Sequence, residues 1–260
     1  MENAFFAVMK RELKAYFYSP VAYALTGVFT ALTGYFFYSG MVFYGMASFE
    51  MSRMAQFAGP QELNVNEFIL RPLFGNMAVI LLLISPLVTM RLFSEEKKSG
   101  SIEMLFTWPI RDIELTLGKY FAALLMLLSL LAPTFIYMGF IGYHDASINW
   151  GVVFAGYLGL LLLGSAFISL GVFVSTLTEN QIISSAISFG ALLMFWALAW
   201  SVGDSTGPLA ETLKYLSIFE RLDTFAKGVV DTKDIVYYLS FIFVFIFLTL
   251  RSLESRKWRG

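Results

Sequence analysis

The spacing of charged residues constrains this chain more than any other feature. No charged side chain occurs between Lys14 and Glu50, between Arg71 and Arg91, or between Lys119 and Asp145. The same holds from Asp145 to Glu179, from Glu179 to Asp204, and from Asp234 to Arg251. A helix needs about 20 apolar residues to cross the hydrocarbon core of a bilayer. The six stretches meet or nearly meet that need and predict spans near 20–41, 71–92, 118–141, 150–177, 181–202 and 233–252. The last is the shortest and must use flanking residues to reach both interfaces. A soluble helical protein would need a polar face on each helix, and "ALLMLLSLLAPTFIYMGFIG" (123–142) has none. Composition points the same way, at 58% hydrophobic and 14% charged, where a soluble domain is nearer half and a quarter. The expected fold class is an all-α integral membrane protein, one transmembrane domain over 1–260.

Orientation follows from Lys and Arg in the connectors. With both termini inside, twelve of the 18 Lys and Arg residues fall on the inner side and six on the outer. Both termini are therefore expected in the cytoplasm. A net charge of −1 offers no basic face, so nucleic acid is not an expected partner. Cysteine is absent, which excludes disulfides, thiolate chemistry and Cys-based metal sites. Lys10, Arg11 and Lys14 precede an apolar run, but no small-residue site ends it, so no cleavable leader is expected.

No span centre carries Asp, Glu, Lys, Arg or His. Ion-coupled transporters and pumps place ionisable groups there, so a secondary transporter is disfavoured. No G-x-x-x-x-G-K-[ST] phosphate loop is present, since "LGKY" at Gly118 lacks the upstream glycine. The chain is not expected to hydrolyse ATP, hold a metal or bind a cofactor itself. Small residues recur four apart at Ala155 and Gly159, Ser165 and Ser169, Ser184 and Ser188, and Ala186 and Gly190. They allow close helix approach, within one bundle or at a dimer seam. Pro86 and Pro133 are expected to kink spans two and three.

The cytoplasmic segment 93–112 lies within "RLFSEEKKSGSIEMLFTWPIRD" (91–112), which collects eight charged residues. "SEEKK" continues span two as an exposed helix, and Gly100 suits a left-handed C-cap. Ser101 reads as an N-cap, with Glu103 in the first turn. Ile102, Leu105 and Phe106 share a face. Pro109 ends the element, and Asp112 caps span three. A solvated loop with snorkelling lysines is one reading. A short helix needing lipid or protein against Ile102, Leu105, Phe106 and Trp108 is the other.

"RLFSEEKKSGSIEMLFTWPIRDIELTLGKY" resembles the cytoplasmic motif of ABC-2 type permeases, roughly E-E-[KR]-x-x-G-[ST]-[IL]-E-x-L-x-[TS]-x-P-[VI]. The family usually has Thr where this chain has Ser101, and an aliphatic residue at Phe106. "NEFILRPLFGN" (66–76), "TLTENQI" (176–182), "FAKGVVDTKDIVYYLS" (225–240) and the terminal "LESRKWR" look like the gliding-motility-type branch. The resemblance implies the membrane subunit of an ABC exporter in a bacterial inner membrane, with a second permease copy and two copies of an ABC ATPase that holds ATP and Mg. It also implies a coupling helix at about 97–107 that docks in a cleft of the ATPase. The residues it assigns to that contact are Glu95, Glu96, Lys97, Lys98, Gly100, Ile102, Glu103, Leu105, Phe106 and Pro109. Spans one, two and five would line the path. A membrane platform doing mechanical or relay work on a periplasmic auxiliary subunit is the alternative.

Residues 1–18 read as an interfacial helix on membrane lipid. In "FFAVMKRELKAYF" (5–17), Phe5, Phe6, Met9, Leu13, Tyr16 and Phe17 share an arc of about 120° that excludes Lys10, Arg11 and Lys14. Residues 42–70 form a long outer connector around Gly59-Pro60. The outer connector 203–232 suggests short helices between spans five and six, with Ser217 and Glu220 at capping-box spacing. "GDSTG" (203–207) matches G-x-S-x-G, but lacks the strand–turn–helix that makes it a nucleophile elbow. A hydrolase pairing Ser205 with His144 is a remote alternative.

Overall fold

The computed structural model describes residues 4–58, 64–101, 103, 110–144, 148–202 and 217–257. Every regular element among them is helical. Six helices are long and apolar enough to cross a membrane: Pro20–Arg53, Asn66–Lys98, Asp112–Tyr143, Trp150–Ser175, Gln181–Leu198 and Thr232–Ser255. This is the all-α, six-helix architecture that the charge-free runs imply.

In chain order the elements are α1 (Ala4–Phe17), α2 (Pro20–Ala58), a π-helical turn (Asn66–Leu70), α3 (Arg71–Thr89) and α4 (Arg91–Lys98). They continue with α5 (Asp112–Leu131), a 3-10 turn (Ala132–Thr134), α6 (Phe135–His144), α7 (Trp150–Ser175), α8 (Gln181–Val202), α9 (Glu220–Ala226) and α10 (Thr232–Lys257).

Helix α7 is the hub. Its membrane window is 83% buried within the protein, against 17% for spans five and six. Glycines make that burial possible by letting neighbours reach the α7 backbone. A Cβ at Gly156 would run into the Phe74 ring of α3, and one at Gly171 into Thr89. At Gly164 it would sit 2.6 Å from Leu127 of α5, and at Gly159 it would sit 2.6 Å from Phe225 of α9. The expected close approach at Gly159 is thus filled by the short helix α9. Of the other small residues, Ser165, Ser169, Ser184 and Ser188 are buried in the bundle, whereas Gly190 faces open space.

Several local expectations change. Helix α2 does not stop near 41; it runs 39 residues to Ala58. Gly40 and Gly45 weaken a helix without ending it, and α2 continues through both as far as Ala58. At 1.5 Å per residue α2 is about 58 Å long, against a hydrocarbon core of about 30 Å. Pro133 interrupts span three as a 3-10 turn, while Pro86 lies inside α3. Asp112 is the first helical residue of α5 rather than its cap. The turn before it is tied by Arg111 N–H donating to Glu114 Oε2 at 3.2 Å. The capping box at Ser217 does not form. Helix α9 starts at Glu220 with no side-chain cap, and Ser217 Oγ is buried without a hydrogen bond. The preceding turn is pinned by Tyr238, whose hydroxyl donates to Ile218 O at 2.9 Å.

Helix α1 also differs from a simple interfacial anchor. Phe6 and Phe17 are exposed, but the buried line is Val8, Glu12 and Tyr16, packed against α5. Gly118 permits the contact, since a Cβ there would lie 2.9 Å from Val8. The reason a carboxylate joins that face is a lysine opposite it.

Candidate functional site at a helix junction

Helix α4 is the extension of span two that leads into the charged connector. It is not a free-standing arm: Leu92, Phe93 and Ser94 are buried. Beneath it, Lys119 of α5 is only 1% exposed. Its ammonium lies 2.9 Å from Glu12 Oε1 and 2.9 Å from Glu96 Oε1. It also donates to Leu92 O at 2.5 Å and sits 5.0 Å from the Phe93 ring centre. Arg11 adds a second cation, bonded to Glu12 at 2.7 Å and to Glu96. Two cations and two carboxylates thus join α1, α4 and α5. A buried charge survives only when paired and hydrogen-bonded in this way. Burial pushes the Glu12 carboxyl up, but Lys119 and Arg11 together outweigh it and hold the group below its ordinary value.

Lys97 fastens the other side of α4. It is buried and its ammonium donates to Thr176 O, the C-cap of α7. A cation at that end of a helix meets unpaired carbonyls and the negative pole of the dipole. Ser94 Oγ donates to Ser175 O at 3.1 Å, and Thr176 Oγ1 reaches Ser252 Oγ of α10 at 2.9 Å. In the next turn, Asn180 Oδ1 accepts from Ile182 N at 2.9 Å and caps α8.

The residues assigned to the ATPase contact therefore divide. Glu96 and Lys97 turn inward, while Glu95 and Lys98 are exposed. Gly100 has φ +71°, the left-handed conformation expected of it, and Gly100 N–H donates to Lys97 O at 3.2 Å. The chain then turns back into helix, with Glu103 N–H donating to Gly100 O at 3.2 Å and Glu103 exposed. Ile102, Leu105, Phe106, Trp108 and Pro109 lie outside the described residues. So does Ser205, as does the side chain of His144.

Sequence reading missed Glu12 and treated Lys119 only as one positive charge among several. The available signal was Glu12 standing four residues from both Val8 and Tyr16 on one helix face.

Between α1, α2, α3, α4, α5 and the start of α8 a cavity of about 250 Å³ opens at this junction. Tyr16, Val21, Ala22, Leu25, Leu87, Val88, Met126, Arg91, Glu95 and Gln181 line it. At the opposite end of the bundle, ion pairs lock α9 in place. Arg71 of α3 grips Asp223 with two hydrogen bonds of 2.5 and 2.9 Å. Lys227 approaches the same carboxylate at 2.6 Å, and Arg221 reaches the buried Asp234 of α10 at 2.6 Å. Among the described residues no group of three or more His, Asp or Glu could hold a metal ion.

A family model described as ABC-2 family transporter protein matches residues 6–258. A comparison with curated proteins finds no match.

Proposed function

The chain belongs to the ABC-2 family of transporter proteins, and from that premise we propose that it is the permease subunit of an ABC exporter driven by a separate ATPase. It is a multi-pass membrane protein, placed by this reading in a bacterial inner membrane with both termini in the cytoplasm. Two permease copies and two ATPase copies form the working unit, and ATP and Mg belong to the ATPase. The gliding-motility branch is the sub-family to which the quoted motifs are similar.

One observation carries the coupling step: the end of α4, from which the connector leaves, is rooted in the bundle. Glu96 joins it to α1 and α5 through Lys119, and Lys97 joins it to α7. A push on the segment that follows Gly100 is therefore felt by several helices at once, because packed helices shift as bodies rather than deform. Lys98, Gly100, Ile102, Glu103, Leu105, Phe106 and Pro109 are the residues offered to the ATPase cleft, whereas Glu95 lines the cavity beside Arg91. Glu96 and Lys97 anchor that element from behind.

The test is Glu103→Lys combined with Leu105→Asp, in purified permease–ATPase complex. The variant inserts normally but loses permease-stimulated ATP turnover. Wild-type turnover in the variant would remove this coupling site.

A second reading is mechanical or relay work on an outer auxiliary subunit. It is favoured by the overhang of α2, where Phe43, Met46 and Phe49 are exposed. An auxiliary protein that cross-links to this overhang, in a complex that moves no cargo, would select it.

A further inference from the structure

Arg91 and Glu95 stand one helical turn apart on the wall of the cavity at the junction. Side chains four residues apart on a helix have Cβ atoms about 5–6 Å apart, close enough to pair. Among the described residues, however, neither takes part in an ion pair. Arg91 lies instead over the Tyr16 ring, 4.3 Å from its centre. Tyr16 is itself held, its hydroxyl donating to Val88 O at 2.8 Å. Gln181 adds a neutral amide. The rest of the wall is largely apolar, with Val21 and Leu25 from span one, Leu87 from span two and Met126 from span three.

Charges of opposite sign that stand beside an apolar surface without neutralising each other favour a ligand that neutralises both. A simple anion would suit Arg91 and meet Glu95 as a like charge. A simple cation would do the reverse. A head group with an anionic centre and an ammonium a few bonds apart suits both, and a short apolar chain suits the remaining wall. About 250 Å³ accommodates such a head and the first carbons of a chain, not a whole two-chain lipid.

We propose that this cavity receives the zwitterionic head of an inner-leaflet amphiphile, with Arg91 holding its phosphate or carboxylate and Glu95 its ammonium. The inference rests on the permease reading and names the class of cargo that the permease accepts.

The test is equilibrium binding to the full-length chain in detergent, followed by its tryptophan fluorescence. Four probes are compared: dihexanoyl-phosphatidylethanolamine, dihexanoyl-phosphatidylglycerol, dihexanoylglycerol and Nε-octanoyl-lysine. Phosphatidylethanolamine binds at least about tenfold more tightly than the phosphatidylglycerol and the neutral glyceride, the factor expected of one charge-assisted hydrogen bond. Tight binding of octanoyl-lysine instead assigns the anionic centre to a carboxylate. Arg91→Met abolishes the preference for either zwitterion over the glyceride, and Arg91→Lys retains part of it. Glu95→Gln, at an exposed position, abolishes the preference of phosphatidylethanolamine over phosphatidylglycerol. Equal affinity for zwitterions and the neutral glyceride overturns the proposal, as does wild-type selectivity in Glu95→Gln. Co-purification of the ATPase, measured on the same samples, reports separately on the permease reading.

Discussion

Replacing Lys119 with methionine keeps the unbranched stem of the side chain and removes its charged end. Lys119 is 1% exposed and the Glu12 and Glu96 side chains are 11% and 13% exposed, so water cannot take its place without opening the junction. Two carboxylates would remain with only Arg11 between them. Breaking a buried pair by removing one partner costs about 3–5 kcal/mol. At 1.4 kcal/mol per factor of ten, that is about two to four powers of ten in the equilibrium for undocking α1. Trypsin measures this opening directly, because Lys10, Arg11 and Lys14 are exposed on α1 yet protected as long as it remains docked and helical. Cleavage at these sites in Lys119→Met rises by at least about 100-fold. The rate levels off at that of a fully detached helix. Lys119→Arg retains most of the protection. The double variant Glu12→Gln with Lys119→Met loses less than the sum of the single changes, because the two groups are in direct contact. Unchanged cleavage in Lys119→Met would show that α1 is held by its apolar contacts alone, and the account of the junction would fail.

Acid should act on the same contact. Glu12 is held below its ordinary value of 4.5, so its contribution is fully present above that value and is lost as pH falls through the lowered one. Hydrogen exchange of α1 amides, corrected for intrinsic rate, stays flat from about pH 7 to 5 and rises only under stronger acid; a transition near neutrality would contradict this. Gly171→Leu forces α3 away from α7 at Thr89 and lowers the melting temperature of the detergent-solubilised protein, overpacking costing about 1–3 kcal/mol or more; a melt like wild type would refute that crossing. Arg71→Met releases Asp223, which Arg71 and Lys227 hold below its ordinary value against the upward effect of burial. Amide exchange in 220–226 then increases while that of α7 does not. Because the chain has no cysteine, single cysteines report sidedness cleanly. Ser48→Cys reacts with an impermeant maleimide added outside and Ser255→Cys does not; the reverse pattern would invert the orientation.

The spans were legible because hydrocarbon tolerates so few charges that their absence marks membrane-length segments without any knowledge of packing. Gly100 was legible for a similarly local reason: a helix end followed by a chain reversal calls for a left-handed residue. The junction was not. Lys119 meets Glu12 across 107 positions in sequence, and no local pattern encodes such a pairing. Glu96 and Lys97 read as surface charges in "SEEKK", yet their partners lie on α5 and α7, and only the crossing of helices shows it. Ser217 failed in the opposite sense. Its spacing to Glu220 met the local rule, but the buried Ile218 and its bond to Tyr238 fixed the turn first. The extent of α2 was underestimated because the apolar signal fades before the helix ends.

That extent gives α2 the proportions of a lever. Only Tyr18 and Ser19 separate it from α1, so whatever displaces α1 acts at the foot of a single unbroken rod. Over about 58 Å, a tilt of about 10° carries the far tip through roughly 10 Å. A small rearrangement at the α1 end thereby becomes a wide sweep beyond the opposite leaflet, with no hinge along the way to absorb it.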